Sequence, residues 1–148
     1  MTRGEIARQN AAEDCNCCQS VLMAFCEDYG INPEMAMSVA SGFGSGVCIG
    51  EVCGAFTGAV MALGLIRQSG KEGEENSEVT MPDLVKEYAA RFKEKNGSLL
   101  CRDLIGYDFS IPGLHDKAEE EGLFVSICRG LIGGSADMME AYIKEKLG

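Results

Sequence analysis

The chain has 148 residues, 46% of them hydrophobic, and carries 23 acidic against 13 basic side chains for a net charge of −10. That length fits one domain, which buries roughly 68–70% of its unfolded surface and needs no disulfides to hold it. The apolar content excludes a disordered chain, and the negative charge argues against nucleic-acid and anionic-lipid partners by repulsion.

The predicted elements are helical throughout. Asn16 and Gln19 read as a capping pair for a first helix. Cys18, Val21, Leu22, Phe25 and Tyr29 share one face of it, and Gly30 closes it. An earlier start near Gly4 stays open, because Glu5 to Asp14 is also helix-compatible. Asn32 and Pro33 begin a short second helix running to about Ser41. The loop Gly42-Phe43-Gly44-Ser45-Gly46 lacks both a preceding strand and a Gly-Lys-Ser/Thr ending, so no nucleotide is expected there.

The third helix is predicted over about Val52 to Arg67. Gly54, Ala55, Gly58, Ala59 and Ala62 form a small-residue stripe that lets a neighbouring helix come close. Val47 to Ile66 is long enough to span a bilayer. Its four glycines and Glu51 instead favour a Gly-rich loop and a buried helix, without membrane insertion. Residues 69–79 read as a polar linker inside the single domain.

Thr80, Pro82 and Asp83 start a fourth helix, which Asn96 and Gly97 end. Ser98 caps a short helix, Leu99 to Ile105. Leu114 to Glu121 is a charged helical stretch, and the last helix runs from near Cys128 to about Lys146. No alternating pattern predicts a sheet. The expectation is an all-α, single-domain bundle of five to seven helices.

Eight cysteines stand out: Cys15, Cys17, Cys18, Cys26, Cys48, Cys53, Cys101 and Cys128. The amino terminus has no apolar export segment, so a cytoplasmic location is expected. Disulfides are disfavoured there, which leaves metal binding or redox work. Cys17, Cys53, Cys101 and Cys128 each fall at a predicted helix start. Free N–H groups and the helix dipole would favour the thiolate at such positions. Four thiolates suit an iron–sulfur cluster or a tetrahedral zinc. Gly54 would allow a bound centre to approach the backbone, and Cys48 could add a ligand. Cys53, beside that glycine and after a loop, is the expected reactive sulfur.

Cys53-Gly54-Ala55-Phe56-Thr57-Gly58 reads Cys-Gly-Ala-x-x-Gly, with Asn16-Cys17-Cys18-Gln19-Ser20 upstream and Cys101 and Cys128 downstream. This resembles the redox-active family named for its C_GCAxxG_C_C pattern, from about Asn16 to the C-terminus. The resemblance implies that the four family cysteines are Cys17, Cys53, Cys101 and Cys128. It implies a redox class and no particular substrate. Cys15, Cys26 and Cys48 are additional, and Cys18 stands where a small residue such as Ala is expected. Cys18 and Cys26 read as core; Cys15 and Cys18 also have Cys-x-x-Cys spacing.

The expected function is redox chemistry through Cys17, Cys53, Cys101 and Cys128, by iron–sulfur electron transfer or thiol/disulfide exchange. Such a protein would be an oxidoreductase or an electron carrier with an unidentified redox partner, and a homo-oligomer stays open. The alternative is a zinc-binding structural or interaction module in which the same four cysteines close the site. His115, the one histidine, and the acidic runs Glu72 to Glu78 and Glu119 to Glu121 read as solvated.

Overall fold

The structure is a computed structural model and describes residues 1–69 and 79–148. Among these residues it holds nine α-helices and no strand. They are α1 (Arg3–Ala12), α2 (Cys17–Met23), α3 (Cys26–Tyr29), α4 (Pro33–Val39), α5 (Gly54–Ser69), α6 (Met81–Asn96), α7 (Cys101–Ile105), α8 (Leu114–Glu120) and α9 (Arg129–Leu147). The all-α expectation holds, but the helices outnumber the five to seven anticipated.

The excess comes from short segments that sequence periodicity merges or leaves ambiguous. The Gly4 alternative is a separate helix, α1, with its own capping box from Thr2 and Glu5. The expected Asn16–Tyr29 helix is two helices, because the chain leaves helical hydrogen bonding at Ala24–Phe25. Asn16 does cap α2 with Gln19, and Gly30 ends α3 in the left-handed conformation. The expected 69–79 linker lies, from 70 to 78, outside the described residues.

Helices α1, α2, α5, α6 and α9 surround one core of Val21, Leu22, Phe25, Leu63, Tyr88, Phe92, Met139 and Tyr142. Glycines set the closest approaches. Gly58 on α5 lies against the Cys18 carbonyl of α2, and a Cβ there would stand 2.5 Å from that oxygen. Gly4 on α1 lies against the Gly133 carbonyl of α9, where a Cβ would stand 2.5 Å from that oxygen, Gly133 itself lies against the Arg8 side chain, and the Gly4 N–H donates to Asp137 at 2.6 Å. These contacts explain why α9 tolerates Gly133 despite its poor helix propensity.

Buried polar groups are paired. The Ser135 hydroxyl donates to the Ala55 carbonyl at 2.7 Å and faces the Tyr88 hydroxyl at 2.9 Å. This network fixes the first turn of α5 against α6 and α9, which matters because that turn follows Cys53 and begins at Gly54. No helix among the described residues is long and apolar enough to cross a membrane.

Candidate redox site

Cys53 and Cys101 are brought together by one backbone bridge. Val52 and Leu100 form an isolated antiparallel pair. The Cys53 N–H donates to the Leu99 carbonyl at 2.7 Å, and the Cys101 N–H donates to the Glu51 carbonyl at 2.6 Å. The Glu51 carboxylate also takes an ion pair from Arg102 at 2.7 Å. The short helix therefore starts at Cys101 and not at Leu99, because Leu99 and Leu100 are held in the bridge.

Cys17 opens α2 and reaches the same place through Gly54, whose missing Cβ would meet the Cys17 Cβ at 2.9 Å. Cys128 comes from a wide π-type turn, Phe124–Cys128, that runs directly into α9. The four cysteines thus surround a small apolar cavity of about 10 Å³, closed by Gly46, Leu104, Ile105, Phe124 and Leu131. Space of that size holds about one water.

A left-handed turn forms the cavity's outer wall. Ser45, Gly46, Val47 and Cys48 all have positive φ, from 51° to 67°. Gly46 is required there, since a Cβ would stand 2.7 Å from that of Cys101. The turn also aims the Ser45 N–H at the Cys17 sulfur.

Four helix starts do not give four thiolates, contrary to the expectation. Cys53 and Cys101 have their N–H groups already bonded, and Cys128 lies within continuous helical turns. Burial pushes the Cys53 and Cys101 thiols up to about 12, and the charge of Cys17 adds to the effect. Cys128 is raised as well, first by its hydrogen bond to Cys17 and then by burial. Cys17 alone of the four is lowered. The hydrogen bond from Cys128 is the largest cause; burial opposes it, and the N–H groups of Cys17 and Ser45 reinforce it. Within the cluster the surroundings thus favour the thiolate form at Cys17 and the thiol form at Cys53, Cys101 and Cys128.

Access follows the same division. Cys53, Cys101 and Cys128 are buried, and Cys17 is partly exposed. Above Cys17 and Cys128 lies an open cleft of about 320 Å³, lined by Asp14, Cys15, His115, Glu119 and Arg129 among others. Cys53, expected from the sequence to be the accessible sulfur, has no part in this cleft.

The other cysteines separate cleanly. Cys18 is fully buried with its thiol 3.6 Å from the Met61 sulfur, while Cys15 faces Met37 at 3.9 Å. The Cys-x-x-Cys spacing therefore does not make a dithiol. Cys26 packs in the core. Cys48 is exposed, bonds the Gly42 carbonyl at 3.6 Å, and lies outside the cavity.

Sequence reasoning missed two cleft residues. His115 is exposed as expected, yet its ring meets Phe109 edge-on and Phe124 at a tilt, with centroids at 5.2 and 4.8 Å. Arg129 also lines the cleft, and its place directly after Cys128 is the sequence signal for it.

As donors, four cysteines match either a cluster or a zinc. Zinc–sulfur bonds of about 2.3 Å put tetrahedral ligands about 3.8 Å apart. Among the described residues, the one set of three or more His, Cys, Asp or Glu ligand atoms within 4.8 Å of one another is His115, Asp116 and Glu119, all exposed. The cysteine sulfurs are thus spread more widely than the ligands of one tetrahedral metal.

A family model described as "Putative redox-active protein (C_GCAxxG_C_C)" matches residues 15–142. The chain belongs to this family. The matched span includes every residue lining the central cavity. A comparison with curated proteins gave no match, and a comparison with solved structures gave none either.

Proposed function

We propose that this member of the C_GCAxxG_C_C family performs thiol–disulfide exchange, with Cys17 as nucleophile and Cys128 as its partner. The observation that carries this reading is the Cys17–Cys128 pair: one lowered thiol facing an open cleft, backed by a raised thiol in contact with it. Thiolate is the attacking form, so Cys17 reacts first.

The Cys17 thiolate attacks one sulfur of a disulfide; the new S–S bond forms as the old one breaks, and the leaving thiolate takes a proton from water. Cys17 then carries no charge. The largest cause holding Cys128 protonated disappears with that charge. Cys128 releases its proton to water and attacks the Cys17 sulfur, expelling the second half of the substrate as a thiolate, which takes up a proton from water. The protein gains a Cys17–Cys128 disulfide and loses two electrons to the substrate. Eight free cysteines suit work in a reducing compartment such as the cytoplasm.

The test is incubation with 2-hydroxyethyl disulfide, followed by alkylation and peptide mass mapping. A Cys17–Cys128 linkage is expected. Cys128→Ser should stop at the mixed disulfide on Cys17, and Cys17→Ser should block the reaction. A linkage through other cysteines in the parent protein would overturn the reading.

An iron–sulfur centre is the second reading, favoured by four cysteines around one apolar cavity. Cys17, Cys53, Cys101 and Cys128 would hold it, and it would supply electron transfer. Anaerobic purification with iron and sulfide analysis and a visible spectrum tests this. Bound iron should be lost in Cys53→Ser and kept in Cys26→Ser; colourless, iron-free protein from anaerobic, iron-supplied cells would count against it. Zinc without visible absorbance would instead favour the structural module.

A further inference from the structure

We propose that the cleft over Cys17 selects small zwitterionic disulfides, those whose halves carry an amino-acid-type ammonium and carboxylate. This rests on the exchange reading and names its substrate class.

The cleft has the size of a small-molecule site, about 320 Å³. Its lining carries both signs of charge. Arg129 is partly buried; Asp14 and Glu119 are exposed. None of the three has an ion pair or side-chain hydrogen bond among the described residues. Three other arginines are ion-paired: Arg3 with Asp28 and Glu140, Arg91 with Glu87 and Glu145, Arg102 with Glu51. Arg129 is a cation left available beside the reacting sulfurs, with two unengaged carboxylates on the same cleft.

Charge of one sign alone suits this lining poorly. A dianionic disulfide meets Asp14, Glu119 and the chain's net charge of −10. A dicationic disulfide can engage Asp14 and Glu119 but leaves Arg129 unanswered beside its own charge. A zwitterionic half can give its carboxylate to the Arg129 guanidinium and its ammonium to Glu119 or Asp14, while its sulfur faces Cys17. The chemical step is the exchange already written, with the same bonds and electrons.

The experiment compares four disulfides on the parent protein, Arg129→Gln and Glu119→Gln. They are cystine (zwitterionic), 3,3′-dithiodipropionate (anionic), cystamine (cationic) and 2-hydroxyethyl disulfide (neutral). The readout is the rate of Cys17–Cys128 linkage, each variant being divided by the parent for the same disulfide so that leaving-group differences cancel. A charge-assisted contact of ordinary strength amounts to roughly a tenfold change. Arg129→Gln should slow cystine and dithiodipropionate about tenfold and leave the neutral disulfide unchanged. Glu119→Gln should slow cystine and cystamine, with Asp14→Asn as its companion. Equal slowing of the neutral disulfide, or unchanged cystine rates in all variants, overturns the inference while the exchange reading stands. Failure of every disulfide to oxidise Cys17 in the parent overturns the exchange reading itself.

Discussion

Gly58 of α5 rests on the carbonyl oxygen of Cys18 in α2, with no room between them for a Cβ. The same approach brings Gly54 onto Cys17, so the helix packing and the position of the reactive sulfur share one cause. Gly58→Leu is expected to cost on the order of 1–3 kcal/mol through overpacking. Gly64→Ala, on the same helix, meets only the flexible end of Met81 at 3.5 Å. It should stabilise by about 0.5–1 kcal/mol, because alanine is the better helix former. Urea denaturation checks both signs.

Cys17 should alkylate with a pH midpoint below that of an ordinary thiol, 9.0, because Cys128 and two N–H groups favour its thiolate. Cys128→Ala removes the largest of these causes and should raise the midpoint. Cys128→Ser keeps a hydroxyl donor and should raise it less. Peptide-resolved iodoacetamide labelling measures this, and faster labelling at Cys53 or Cys101 than at Cys17 would contradict it.

Stability should fall in alkali. Burial pushes the Cys53 and Cys101 thiols of the folded chain up to about 12, against an ordinary 9.0. Between those values the unfolded chain has lost protons that the folded chain keeps. The sign follows from the raised folded values: stability present below about pH 9 is lost as pH rises toward 12. The slope reaches about 1.4 kcal/mol per pH unit for each thiol. Urea midpoints at about pH 8, 9, 10 and 11 give the slope, and Cys53→Ser should flatten it.

Gly46→Ala should damage both fold and chemistry. Its φ of 67° lies in the left-handed region, and the new Cβ would press on Glu51 and Cys101. The conformational cost alone is about 1–2 kcal/mol. Moving the turn also withdraws the Ser45 N–H from Cys17, so the Cys17 alkylation midpoint should rise. An unchanged midpoint in a destabilised protein would separate the turn's structural role from its electrostatic one.

Local signals in the sequence were sufficient for much of the helical framework. Asn16–Gln19, Asn32–Pro33 and Thr80–Asp83 are caps made within four residues, and each caps a helix. The glycine stripe of α5 announced a close contact without naming its partner. Cys17, Cys53, Cys101 and Cys128 line one cavity. Tertiary structure alone decided their order of reactivity. A helix start is a local feature, whereas the bonding of the Cys53 and Cys101 N–H groups depends on Leu99 and Glu51, which are remote from their partners along the chain. Burial and the Cys17–Cys128 contact likewise arise from α2 and α9 meeting. Local sequence could thus point to four candidate sulfurs, but a thiol's pKa is set by what surrounds it in space, and those surroundings lower it at Cys17 and raise it at the other three.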